Sequence, residues 1–172
     1  RSLGVDDHSV RRYADVLAQT FMVRLLTPWF ENLSKRQVKA PKLYLRDSGI
    51  LHLLLEIPDE HTLSGHARLG ASFEGFVLES LLDHLRARPE QSFFWRTQRG
   101  AELDLLVVRG RERLGFEVKY TSAPALTPSM STALTDLKLD RLDVLHAGKE
   151  TFALAPRVRA VALERMLRDV PR

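Results

Sequence analysis

No cysteine occurs anywhere in the 172 residues. A disulfide framework and a thiolate zinc site are thereby excluded, and a cytoplasmic protein is expected. Long apolar runs are missing too: none reaches the roughly 18 residues that a bilayer-spanning helix needs. No signal-peptide pattern opens the chain, so no membrane partner is expected. An excess of one charge sign is also lacking. The 26 Lys and Arg face 22 Asp and Glu, for a net charge of +4, and the surplus is split evenly between residues 1–69 and 70–172. Mild basicity of this kind is compatible with nucleic acid but does not point to it alone. Internal repeats and low-complexity segments are absent. What is present is ordinary for a globular protein, with 44% hydrophobic and 28% charged residues. The length suits one good-sized domain, or a small module joined to a larger one. The sequence begins at Arg1 rather than Met and runs at once into a helical pattern. A piece of a longer polypeptide is expected, with the missing part on the N-terminal side.

Two blocks are predicted. In the first, residues 1–57, Asp6 or Asp7 can cap a helix through Gln19, with Val10, Tyr13, Ala14 and Leu17 at helical spacing. Phe21 to Leu26 reads as a strand, a basic turn follows Pro28, and a second extended stretch lies near Pro41 to Leu45. Asp47 can cap a short leucine-rich helix through Glu56. Helix, strand, basic turn, strand, helix is the order of a winged helix whose earlier helices are missing. Residues 58–69 read as a linker. The second block, residues 70–172, has a helix to about Arg88, strands at Ser92–Thr97, Ala101–Val108 and Arg113–Tyr120, a helix at Ser129–Leu139 and short strands near Leu142–His146 and Thr151–Leu154. The tail from Val158 to Leu167 starts as a strand and ends as a helical turn. The fold class is α/β (α+β), with a core ordered α-β-β-β-α-β.

The chemistry is predicted from a register. Gly110 suits the first central position of a type II′ turn, which pairs Arg109 with Glu112. Continued along both strands, that pairing sets Asp104 opposite Glu117 and Glu102 opposite Lys119. Alternation gives Leu103, Leu105 and Val107 one face with Leu114, Phe116 and Val118, and gives Asp104, Glu117 and Lys119 the other. Opposed carboxylates repel. A divalent cation such as Mg²⁺ or Mn²⁺ holds such a pair well, because it takes hard oxygen ligands with water and phosphate. On the wheel of residues 73–86, Glu74 falls inside the apolar stripe of Phe73, Val77, Leu78, Leu81, Leu82 and Leu85, whereas Glu79 lies on the polar side with Asp83 and Arg86. A core-facing carboxylate is costly unless paired or metal-bound, which makes Glu74 the better third ligand.

Asp104, then Glu117-Val118-Lys119, with Glu74 on the preceding helix, resembles the PD-(D/E)XK nuclease superfamily, although Leu103 stands where that pattern often has proline. The resemblance implies a restriction-endonuclease-like core. It implies Glu74, Asp104 and Glu117 as ligands of Mg²⁺ or Mn²⁺, with Lys119 completing a catalytic set that activates water and neutralises phosphate charge. The stretches Lys42-Leu43-Tyr44-Leu45-Arg46-Asp47-Ser48-Gly49, Glu74-Gly75-Phe76-Val77-Leu78-Glu79, Trp95-Arg96-Thr97, Gly100-Ala101-Glu102-Leu103-Asp104 and Phe116-Glu117-Val118-Lys119 resemble the C-terminal region of predicted AAA-type ATPases that end in domain of unknown function 4143. That resemblance implies an N-terminal ATP-binding module before the winged helix. No ATP site is expected in this chain itself. Gly110 to Gly115 is the nearest approach to a phosphate loop, and Phe116 and Glu117 follow where Lys and Ser or Thr are required.

DNA is the expected partner. Arg11 and Arg12 could lie in a groove, the basic turn with Lys35, Arg36 and Lys39 could grip phosphates, and Arg96 and Arg99 could reach substrate near the sheet. The acid-free run between Glu31 and Asp47 also contains Lys42 and Arg46. Alternatives stay open: a solvated hairpin face with a cross-strand salt bridge, Glu102 paired with Lys119, and Arg11 and Arg12 on a solvated face. A catalytically silent module that targets or regulates the attached ATPase, or one that assembles ATPase subunits into a homo-oligomer, is the competing function.

Overall fold

Three aspartates and a threonine cap the starts of four of the helices. The computed structural model describes residues 4, 6–30 and 40–172. Helix α1 (Asp7–Gln19) starts where the Asp6 side chain accepts a hydrogen bond from the Ser9 N–H at 2.8 Å. Strands β1 (Val23–Pro28) and β2 (Lys42–Leu45) pair antiparallel, Val23 with Leu45 through Leu26 with Lys42. Asp47 caps α2 (Ser48–Leu54), accepting from the Gly49 and Ile50 N–H groups. Asp59 likewise caps a short α3 (Glu60–Ser64), accepting from the Thr62 N–H. This helix lies in the stretch read as linker.

The long helix α4 (Leu69–Leu85) ends on Arg86 in the left-handed region, at φ 50°. Then come β3 (Ser92–Arg96), β4 (Glu102–Arg109) and β5 (Glu112–Lys119). Helix α5 (Pro128–Asp136) starts on the Thr127 cap with Pro128 in its first turn. Strands β6 (Arg141–His146), β7 (Phe152–Ala155) and β8 (Val158–Ala162) and a final turn of helix, α6 (Met166–Asp169), complete the chain.

The eight strands of the described residues belong to one sheet, in the order β2-β1-β3-β4-β5-β6-β8-β7. The β1–β2 hairpin of the first block is therefore continuous with the second block, through parallel pairing of Thr27 with Phe93 and Pro28 with Phe94. One layer of the core lies between the sheet and α4, where Val77, Leu78, Leu81, Leu82 and Leu85 meet Leu105, Val107, Leu114, Phe116 and Val118. The other lies on the α5 face, where Met130, Ala133 and Leu137 meet Trp95, Leu103, Leu106, Leu142 and Val144. The apolar stripe predicted on α1 stays largely in solvent, with Val10, Tyr13 and Leu17 at 48, 55 and 43% exposure.

The β4–β5 register is as expected from Leu105–Phe116 to Arg109–Glu112. Gly110 at φ 62° makes the turn, and Arg111 keeps a negative φ, as type II′ geometry requires. The predicted face of β4 needs correction. Between Phe93–Leu106 and Trp95–Leu103 the β3–β4 pairing shifts by one residue, so β4 carries a bulge around Asp104 and Leu105. Leu103 is thereby turned to the α5 layer with Leu106, while Leu105 and Val107 keep the α4 layer.

Candidate functional site

Each acidic residue of the site comes from an element whose position is fixed by the packing just described. Glu74 projects from α4, Glu102 and Asp104 from the bulged half of β4, and Glu117 from β5. Together they line a cleft of about 460 Å³ with Lys119, Gly100, Thr127 and Ser129. Ser129, near the start of α5, donates its hydroxyl to the Glu102 carbonyl and accepts from the Glu102 N–H, both at 2.8 Å. That reciprocal pair ties the helix to the strand beside the cleft.

Asp104 and Glu117 are both buried, at 6 and 5% exposure. Asp104 Oδ2 accepts from the Val118 N–H at 3.0 Å, reaching across to the β5 backbone next to Glu117. Glu117 Oε1 accepts from Lys119 Nζ at 2.7 Å, and Glu117 Oε2 is buried with no hydrogen-bond partner. Burial, and then the charge of Asp104, push the Glu117 carboxyl up to about 7. Burial, and then the charge of Glu74, raise Asp104 as well. Burial opposes the charge on Lys119, but the hydrogen bond and charge of Glu117 outweigh it and raise the lysine. Lys119 is thus held as an ammonium.

Lys42, at the start of β2, belongs to the acid-free basic run and lies outside the site residues expected from the sequence. Its ammonium is turned inward. Nζ lies 2.6 Å from Glu102 Oε1, 3.3 Å from Glu74 Oε1 and 3.3 Å from Asp104 Oδ1, and 5.6 Å from the centre of the Phe94 ring. Burial opposes its charge, yet Asp104 and Glu74 raise its affinity for the proton. Two positions along the same strand, the Tyr44 hydroxyl donates to Glu74 Oε1 at 2.5 Å. Period-two alternation puts Lys42 and Tyr44 on one face of β2, which was the sequence signal available for both.

Glu102 pairs with Lys42 and, at 3.5 Å, with Arg96, not with Lys119 as one reading had it. Glu79 is not free for a ligand role: Arg24 Nε and Nη2 and Arg46 Nε all donate to its carboxylate. Arg46 thus also leaves the predicted basic wing. Arg96 is exposed at the end of β3, and Arg99 is exposed on the Thr97–Ala101 turn, where Gly100 adopts φ 89°. Arg11 and Arg12 are exposed on α1, the Arg12 guanidinium lying 6.0 Å from the centre of the Tyr13 ring. Lys35, Arg36 and Lys39 lie outside the described residues.

The cleft offers hard carboxylate oxygens, one of them buried and unpartnered, the kind of donor that Mg²⁺ or Mn²⁺ takes. Among the described residues, no group of three or more His, Asp or Glu side chains stands in a metal-holding arrangement. The cation to which three carboxylates are turned is the Lys42 ammonium. Among the same residues, no helix is long and apolar enough to cross a membrane.

The model for a domain of unknown function, DUF4143, matches residues 69–166, and that for another, DUF8612, matches residues 1–61. An uncharacterized protein of Mycobacterium tuberculosis and one of Mycobacterium bovis are each 47% identical over 167 residues. Those matches cover 97% of this chain, which spans 37% of the length of either relative. No solved structure matches the chain at a significant level.

Proposed function

The chain belongs to the DUF4143 family, whose members are associated with the C-terminal regions of AAA-type ATPases, and we propose that its domain is a Mg²⁺- or Mn²⁺-dependent phosphodiesterase acting on DNA. The observation that carries this reading is the charge deficit at the β4–β5 end of the cleft. Asp104 and Glu117 are buried side by side, both are driven toward the protonated form, and Glu117 Oε2 has no partner. A fold does not retain such a pair for stability, since burying carboxylates without full compensation costs free energy. A divalent cation held between them would supply that compensation.

Glu74, Asp104 and Glu117 would hold that ion, which when bound supplies charge neutralisation at the phosphate and a more acidic water. The protein's own groups account for the rest. Lys119, 42% exposed at its side chain and fixed on Glu117 at 2.7 Å, presents a permanent ammonium to the mouth of the cleft. It can orient a water and stabilise the negative charge that develops on a phosphoryl oxygen. Arg96 and Arg99, exposed beside the same end of the sheet, would hold flanking phosphates. Arg11 and Arg12 with Lys35, Arg36 and Lys39 would extend that grip along the nucleic acid. An AAA-type module would sit N-terminal to this region in the full polypeptide and would bind the ATP.

The test is cleavage of single- and double-stranded DNA by the purified chain under Mg²⁺ or Mn²⁺, beside Asp104→Ala and Lys119→Ala. Cleavage that falls by about 10²-fold or more in either variant is expected, from the loss of preorganised charge. No cleavage, with no divalent-ion binding sensitive to Asp104, sinks the reading. A second reading draws on Lys42, whose ammonium already holds three carboxylates. In that reading the site is a silent structural cluster, and the domain targets or regulates the ATPase through DNA or protein. DNA binding that ignores divalent ions and the Asp104→Ala change would favour it.

A further inference from the structure

We propose that Lys42 is a tethered counter-ion that holds the carboxylate cluster in its metal-free form and withdraws when a divalent cation binds. The inference rests on the metal-dependent reading above and concerns how that site is controlled.

Lys42 Nζ bridges Glu102, Glu74 and Asp104 at 2.6, 3.3 and 3.3 Å, so one ammonium draws together acids from α4 and from the bulged half of β4. No other described cation does this: Lys119 serves Glu117 on the opposite side, and Arg96 reaches only Glu102. Two of the groups on Lys42, Glu74 and Asp104, are among the three proposed metal ligands. Asp104 has one oxygen on the Val118 N–H, so Oδ1 is its free donor, and Lys42 holds it. An ammonium and a divalent ion repel each other at such separations and cannot both lean on that oxygen. The orphaned Glu117 Oε2 shows that Lys42 does not complete the job. One ammonium satisfies the Glu74–Glu102–Asp104 side and leaves the Glu117 side short of charge.

Withdrawal needs little rearrangement. Lys42 is the first residue of β2, the outermost strand at one end of the sheet, and its side chain is 21% exposed. The flexible four-carbon stem can swing the ammonium to water while β2 keeps its pairing with β1. Tyr44 stays behind on Glu74 Oε1 and keeps that carboxylate aimed at the cleft. The strand thereby links the first block of the chain to the state of the site. Anything that shifts β2, such as a partner or nucleic acid on the β1–β2 hairpin, would change metal affinity.

The experiment is a calorimetric titration of the chain with Mn²⁺, comparing wild type, Lys42→Met, Lys42→Arg and the double variant Lys42→Met/Asp104→Asn. Lys42→Met should bind Mn²⁺ at least about ten-fold more tightly than wild type, because a competing charge is gone. Lys42→Arg should bind no more tightly than wild type, and the double variant should lose the gain. Equal or weaker binding by Lys42→Met, beside a wild type that binds through Asp104, overturns this proposal and leaves the metal site standing. No Mn²⁺ binding by any variant removes both. A measurement in wild type alone covers a Lys42→Met chain that fails to fold. Reductive methylation of Lys42, read by peptide mass, should be slow in EDTA and several-fold faster with saturating Mg²⁺. A rate indifferent to Mg²⁺ overturns the proposal.

Discussion

Glu117 has two demands on it that conflict. Folding would be easier if the side chain were neutral, because its Oε2 is buried without a partner and Asp104 is close. Cation binding needs it charged. Its carboxyl is raised from the usual 4.5 to about 7. Between those values the unfolded chain has released this proton while the folded chain still holds it, so stability falls as pH rises through that window. The loss is complete above about pH 7. In EDTA, Glu117→Gln should therefore flatten the fall in Tm between pH 5 and pH 8. It should also raise Tm at pH 8 by about 5 °C, taking about 2–4 °C per kcal/mol for a chain of this size. The same variant should lose divalent-ion affinity. Identical pH profiles for wild type and Glu117→Gln would show that this carboxylate is already compensated. The two-residue turn at Gly110 makes the β4–β5 pairing readable as far as Leu105–Phe116, but strand alternation fails beyond it, where the bulge and not the simple register sets the place of Asp104. The lysine between Glu102, Glu74 and Asp104 was not readable, because a side chain 62 residues from Asp104 leaves no local pattern. Nothing in the charge run from Lys35 to Arg46 distinguishes a lysine that turns inward from one that stays in water.

Elements are held at their ends by contacts that sequence pattern shows poorly. The loop after β5, which follows Lys119, is clamped to the loop after β6: the Ala147 N–H donates to the Thr121 carbonyl at 3.0 Å, and the space beside Gly148 is closed by the Ser122 carbonyl. A Cβ at Gly148 would run into the Ser122 carbonyl and would stand 2.9 Å from the His146 ring. The ring cannot give way easily, since His146 is fully buried and its Nε2 bonds the Glu150 carbonyl at 3.0 Å. Gly148→Ala should therefore destabilise by about 1–3 kcal/mol, the cost of overpacking against groups that cannot move. Urea denaturation would read this as a lower midpoint at unchanged slope, and an unmoved midpoint would mean the two loops are not clamped. Element existence and order were legible because capping residues, leucine periodicity and the Gly110 turn each act locally. The β4 bulge was not, because it comes from fitting β4 to β3 on one side and β5 on the other. A single-strand pattern of Leu103, Leu105 and Val107 reads as one face, and only the neighbours show that Leu103 belongs to the other layer. The short α3 was missed for a related reason: Pro, Gly, Ser and His around it mask a helix of five residues.

At the scale of the whole molecule, the β1–β2 hairpin and the rest of the sheet either open as one unit or as two. Sequence pattern divides them near residues 58–69, since composition changes there and nothing local reveals that β1 will pair with β3 across more than sixty residues. Three connections argue for one cooperative structure. The sheet runs unbroken from β2 to β7. Trp29, just past β1, packs edge-on against Phe93 of β3 with ring centres 4.9 Å apart. Glu79 of α4 ties down Arg24 of β1 and Arg46 after β2, and its side chain is only 14% exposed. Removing that carboxylate leaves two guanidinium groups, one of them largely buried, without their acceptor. Breaking a buried pair from one side costs about 3–5 kcal/mol, and partial exposure of Arg46 lowers the expectation for Glu79→Ala to about 2–3 kcal/mol. If the chain is one unit, that cost falls on all of it. Native-state hydrogen exchange would then show the slowest amides of β1 and of β5 opening with the same free energy in wild type, and both lowered equally in Glu79→Ala. Selective loss of protection in β1, with β5 untouched, would instead make the hairpin a separately opening module. That outcome would also loosen Lys42 and Tyr44 from the carboxylates, so the folding measurement bears directly on how the site is controlled.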